Sequence, residues 1–152
     1  MAPRGANRRP GREAAGDDAP LVLLADDYAD YRDACARLLR AVGFRVATAA
    51  TAEDAIAAVR ALRPAVVVMD LSMPDGDGIT ATMQLKSDPS TSAVPVIAYT
   101  GLASPQLETR ARAAGCERLL QKSGDIDALV EAVRVAVAGS RRSSARRRDP
   151  QR

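Results

Sequence analysis

The chain has no histidine and no tryptophan, and aromatic residues make up only 3% of its 152 positions. Without imidazole there is no His-based zinc site, no Ser-His-Asp triad and no histidine acid–base chemistry. The two cysteines, Cys35 and Cys116, are too few for a disulfide scaffold and fit a reducing compartment. No apolar run approaches the roughly 18 residues of a membrane span. Residues 1–20, "MAPRGANRRPGREAAGDDAP", lack the apolar stretch of a secretory signal. These absences lead to the expectation of a cytoplasmic protein without membrane contact. With so few aromatics, a core must be built from Ala, Val, Leu and Ile, and a hydrophobic content of 47% is enough for one.

The net charge of +3 is unevenly placed: residues 1–20 carry +1, residues 139–152 carry +5, and residues 21–138 carry −3. The basic balance therefore belongs to the ends, and the mildly acidic middle argues against a nucleic-acid binder. Residues 1–20 read as a disordered basic tail, and residues 139–152, "GSRRSSARRRDPQR", as a disordered Arg-rich one. No aromatics interleave with Arg141, Arg142 or Arg146 to Arg148, so that stretch reads as solvated. One domain over 21–138 is expected. No DNA-binding or enzymatic output module is expected in the residues after it.

Within 21–138, short apolar runs alternate with amphipathic segments. Strands are expected at "LVLLA" (21–25), "FRVATA" (44–49), "VVVMD" (66–70), "VPVIAYT" (94–100) and "RLLQK" (118–122). In "YRDACARLLRAVG", Tyr31, Ala34, Cys35, Leu38, Leu39 and Val42 form one helical stripe stopped by Gly43. Thr51 is the expected N-cap of a second helix, with Asp54 three residues on and Ile56, Val59 and Leu62 inward. A third helix spans 79–87. Ser104 and Pro105 open a fourth over 104–113. The last, 126–138, places Ile126, Leu129, Val130, Val133 and Val137 on one face. Five such βα units imply an α/β fold with a five-stranded parallel sheet and helices on both faces.

In open parallel sheets, ligands sit outside the carboxyl ends of the strands. Here those ends are Asp26-Asp27, Asp70, Thr100 and Lys122. If the first and third strands are neighbours, three carboxylates converge, and their repulsion calls for a cation such as Mg²⁺, which prefers hard oxygen ligands. Acids, a hydroxyl and an ammonium on one edge suit phosphoryl chemistry. "LLADD" (23–27), "VVVMDLSMPDGDG" (66–78), "VIAYTG" (96–101) and "QK" (121–122), in this order and spacing, resemble the receiver domain of two-component response regulators. The resemblance covers about residues 20–138.

It implies a flavodoxin-like (βα)5 fold with strand order 2-1-3-4-5. It implies Asp70 as phosphoacceptor, Asp26 and Asp27 as the Mg²⁺-binding pair, and the Ser72 backbone carbonyl as a further metal ligand. Thr100 resembles the switch hydroxyl and Lys122 the family's lysine, while Met73, Pro74 and Gly78 match the loop leading into helix three. The implied partners are a sensor histidine kinase or histidine phosphotransfer protein and a downstream protein of unknown identity. Homodimerisation is left open. The receiver catalyses only its own phosphorylation and dephosphorylation and is not a turnover enzyme.

Three features depart from the family pattern. Ser123-Gly124 stands where Lys122 is normally followed by proline, often through a cis bond; a non-proline cis bond would cost roughly 2.5–4 kcal/mol. Leu119 stands where the family often has an aromatic whose rotamer reports the switch; Tyr99 is the nearest substitute, on the opposite face from Thr100. Glu117 and Arg118 charge the start of the fifth strand. These departures motivate one alternative, a degenerate receiver that binds proteins independently of phosphorylation. Another, an aspartyl-phosphate phosphatase, would want a second aspartate where Ser72 stands. A calcium loop in 74–78 lacks its closing Glu, and a dinucleotide site lacks glycine after the first strand. Asp26 and Asp27 as simple helix N-cap acids, and both cysteines as small buried residues, are the plain readings.

Overall fold

The computed structural model describes residues 16–73, 78–122 and 126–148, the last six of these as backbone only. Five strands form one wholly parallel sheet: β1 (Leu21–Ala25), β2 (Arg45–Ala49), β3 (Val66–Asp70), β4 (Val96–Thr100) and β5 (Arg118–Gln121), in the order β2-β1-β3-β4-β5. Between and after them run α1 (Ala29–Ala41), α2 (Ala52–Leu62), α3 (Gly78–Ser87), α4 (Pro105–Ala114) and α5 (Ile126–Arg148). Both the alternation and the strand order agree with the sequence reading.

Side chains alternate across the sheet with the period of two that extended backbone imposes. Val22, Leu24, Val66, Val68, Ile97 and Tyr99 pack under α1 and α5. Leu23, Ala25, Val67, Met69, Val96 and Ala98 pack under α2, α3 and α4. Every residue of β3 and β4 is buried, which explains their unbroken apolar runs. The edge strands β2 and β5 are partly exposed and carry the charged residues Arg45 and Arg118.

Local signals set the helix starts. The Thr51 hydroxyl accepts from the Asp54 N–H, and Ser104 accepts from the Leu107 N–H ahead of Pro105 at the first helical position. Both caps agree with the sequence reading. The five inward residues expected on α5 are buried or half-buried.

Two expectations are corrected. First, α5 does not stop at residue 138 but continues to Arg148, through the segment read as a disordered tail. No proline interrupts before Pro150, and Ser, Ala and Arg extend a helix already nucleated by the packed turns. Second, the buried face of α1 is Cys35, Ala36 and Leu39, while Ala34, Leu38 and Val42 are exposed. Leu62 of α2 is likewise exposed. The sequence signals at Pro74 to Asp77, at Ser123-Gly124 and in residues 1–15 and 149–152 lie outside the described residues. Among the described residues, no helix is long and apolar enough to cross a membrane.

Candidate functional site

β1 and β3 are neighbours in register, Ala25 beside Met69, so the residues that follow them emerge side by side. Carboxylate oxygens of Asp26, Asp27 and Asp70 all lie within 4.8 Å of one another. Asp26 and Asp70 are 1% and 4% exposed, and Asp27 is exposed. Burying ionised carboxylates is tolerated only when they are paired and hydrogen-bonded, and each buried one is held on several sides. Asp26 Oδ1 accepts from the Tyr28 N–H at 2.9 Å, its N–H donates to the Ala49 carbonyl at 3.0 Å, and its carbonyl accepts from Arg32 Nη1 at 2.9 Å. Asp70 Oδ1 accepts from both the N–H and the hydroxyl of Ser72, at 3.0 and 3.1 Å.

The remaining carboxylate oxygens face Lys122. Its ammonium donates to Asp26 Oδ2 at 2.6 Å and stands 3.5 Å from Asp70 Oδ2. The Lys122 N–H donates to the Thr100 carbonyl at 2.7 Å, which fixes the backbone where β5 ends against the end of β4. Thr100 itself is 3% exposed. The fold therefore brings the sequence-predicted Asp26, Asp27, Asp70, Ser72, Thr100 and Lys122 to one edge of the sheet. Asp26 is more than an N-cap acid, because the cap of α1 is Tyr28, without a side-chain cap bond.

Three carboxylates gather here, and the Lys122 ammonium contacts two of them, Asp26 and Asp70. Like charges about 4 Å apart repel by roughly 4 kcal/mol at an effective dielectric of about 20. The Asp27 carboxyl is raised above the ordinary carboxylate value. Desolvation is the largest cause, a hydrogen bond with Asp70 and repulsion from Asp70 and Asp26 act in the same direction, and its own backbone N–H opposes them. A net deficit of positive charge among hard oxygen donors is the chemistry that fits Mg²⁺.

Two further devices were only partly visible in the sequence, where Gly78 entered as a loop match and Tyr99 as a substitute aromatic. The glycine that opens α3, Gly78, packs directly on the strand end that carries Asp70: a Cβ there would meet the Asp70 carbonyl oxygen at 2.2 Å. The other is a pair of tyrosines. Tyr31 of α1 and Tyr99 of β4 have ring centroids 5.9 Å apart and hydroxyls hydrogen-bonded at 2.5 Å. The Lys122 ammonium lies 4.7 Å from the Tyr31 centroid and 5.7 Å from that of Tyr99. The sparse aromatic content was the available signal, since these are two of only three tyrosines in the chain. Cys35 and Cys116 are buried free thiols, as expected.

Known proteins agree with this geometry. Residues 22–134 match the response regulator receiver domain. Over 111 residues, 71% of this chain, the sequence is 40% identical to protein-glutamate methylesterase/protein-glutamine glutaminase 2 of Anaeromyxobacter dehalogenans, of which it spans 32%. The chain is thus much shorter than that relative. PilH of Pseudomonas aeruginosa is 31% identical over 118 residues, which cover 78% of this chain and 98% of PilH. The crystal structure of a LuxR-family two-component response regulator from Aurantimonas sp. SI85-9A1 superposes with a TM-score of 0.74 at 31% identity, covering 80% of this chain and 86% of that one. An unbroken match across nearly all of the sheet and its helices, with the acidic edge in the expected place, settles the family: this chain is a response regulator receiver domain.

Proposed function

We propose that the chain accepts a phosphoryl group on Asp70 from the phosphohistidine of a sensor kinase or phosphotransfer protein and passes the resulting change to a downstream protein. The observation that carries this reading is the gathering of Asp26, Asp27 and Asp70 within 4.8 Å, with Lys122 on two of the three. Asp26, Asp27 and Asp70 would hold Mg²⁺, with the Ser72 backbone carbonyl as a further ligand. When bound, the ion supplies positive charge that neutralises the phosphoryl oxygens.

An Asp70 carboxylate oxygen attacks phosphorus as the P–N bond to the donor imidazole breaks. The electron pair of that bond leaves with the ring nitrogen. Ser72, through its N–H and hydroxyl, orients the Asp70 carboxylate by holding Oδ1. Lys122, already beside Oδ2, meets the charge that builds on the phosphoryl oxygens. The Thr100 hydroxyl would take one of those oxygens and draw β4 toward the site. The face of α4, β5 and α5 is the expected output surface; Leu102, before α4, and Val135, on α5, are exposed apolar side chains. All of this chemistry fits a protein working in the cytoplasm as a switch.

Incubation with a small phosphodonor and Mg²⁺ tests the reading. One base-labile phosphoryl group should appear on the intact protein, and Asp70→Asn should prevent it. An unchanged mass would favour the phosphorylation-independent binding module suggested by Leu119 and Ser123-Gly124.

A further inference from the structure

We infer that Tyr31 and Tyr99 are positioning residues that hold the Lys122 ammonium against the acidic edge, a role that rests on the phosphoryl-transfer reading above and assigns two residues to it. The need for such a device follows from where Lys122 stands. It lies one residue beyond β5, where its backbone N–H bonds the Thr100 carbonyl and its ammonium reaches back to Asp26 and Asp70. A lysine side chain is long and has many rotamers, so the backbone alone leaves its ammonium poorly located.

The two tyrosines supply the missing walls. The ammonium sits within cation–π range of both rings, nearer to Tyr31. Their hydroxyls bond to each other, so each ring braces the other. Tyr99 belongs to the cluster under α1 and α5, and Tyr31 is half-buried against it, so the cradle is anchored in the core. Burial is the main cause that raises both phenols above their ordinary value, and the rings stay neutral at physiological pH. The ammonium thus has carboxylates on one side and aromatic faces on the other. Phe44 is the only other aromatic among the buried residues, so two of the chain's four aromatics stand around one lysine.

The test uses the fact that the chain contains only two lysines, Lys86 and Lys122. In protein labelled with ¹³C-lysine, the Lys122 ε-methylene signal should be displaced by the tyrosine ring currents, and Lys122→Met assigns it by removing it. Tyr31→Leu should return that signal to the position of an unstacked lysine, whereas Tyr31→Phe, which keeps a ring, should leave most of the displacement. The initial rate of phosphorylation by a small phosphodonor at saturating Mg²⁺ should fall roughly threefold to thirtyfold in Tyr31→Leu. The same substitution in a Lys122→Met background should add no further loss.

An undisplaced Lys122 signal in the native protein, or a Tyr31→Leu defect of equal size with and without Lys122, would overturn the inference. If the native protein takes no phosphoryl group, the proposed function fails instead, and the lysine spectrum still decides whether the cradle exists.

Discussion

Replacing Gly78 by alanine tests how tightly α3 is built onto the strand that carries Asp70. The added Cβ would lie 2.2 Å from the Asp70 carbonyl oxygen and 3.0 Å from both the Asp70 carbonyl carbon and Leu71 Cα. These are main-chain atoms, so no side chain can rotate away, and either α3 or the end of β3 must shift. Two effects compete. Alanine's helix preference over glycine is about 1 kcal/mol in an exposed helix interior and is at most that at the buried first residue of α3. Forcing a methyl into a packed site costs about 1–3 kcal/mol, and the upper end applies where the obstacle is backbone. The balance is a destabilisation of about 1–2 kcal/mol, which at a slope of about 2 kcal/mol per molar lowers the urea midpoint by roughly 0.5–1 M. The displaced atoms also carry the proposed acceptor, and a misplacement of about 1 Å can slow a positioned reaction about a hundredfold. Gly101→Ala is the control, because a Cβ there meets nothing within 4 Å. A Gly78→Ala midpoint equal to or above that of the native protein would show that propensity wins and that the close approach does not constrain the site.

The Cys35 thiol, pushed up to about 11 mainly by burial, should react with iodoacetamide at pH 8 about a hundredfold more slowly than an ordinary thiol; alkylation of the native protein at the unfolded rate would contradict this. Because the raised value favours the neutral thiol in the fold, its stabilising contribution is complete below about pH 9 and fades as pH climbs toward 11, which urea midpoints across that range would register. Leu39→Ala, at a fully buried position of α1, should cost about 2–5 kcal/mol in urea denaturation. Asp27→Ala should weaken Mg²⁺ binding, and calorimetry finding the native affinity would remove that residue from the proposed metal set.

The sheet was legible because a parallel strand buried on both faces must be apolar throughout, and "VVVMD" has no other comfortable place. The face of α1 was harder to read. Arg32 is half-buried in its first turn, where its guanidinium bonds the Asp26 carbonyl, and a charged residue on the inward side hides the real stripe. Counting apolar residues from Tyr31 then picks the neighbouring line through Leu38 and Val42, both of which face water. The extent of α5 was misread for a related reason. Gly139 and the arginines after it look like a stop, yet an interior glycine costs only about 1 kcal/mol, less than a packed preceding helix can carry.

The acids of the site were visible because residues that follow parallel strands share one edge whatever the loops do. The pairing among them was not, since β3 and β4 lie between β1 and β5. Strand adjacency alone gives no reason for Lys122 to sit closer to Asp26 than to Asp70. That arrangement has a consequence for the proposed cycle. Asp26 gives one carboxylate oxygen to the Tyr28 N–H and the other to Lys122. A cation sharing Asp26 therefore competes with the ammonium for the same oxygen, while a phosphoryl group on Asp70 would offer that ammonium a stronger acceptor. If Mg²⁺ binds there as proposed, lysine and metal would trade places in charge balance, and in the proposed cradle the tyrosine faces beside Lys122 would limit how far the ammonium retreats.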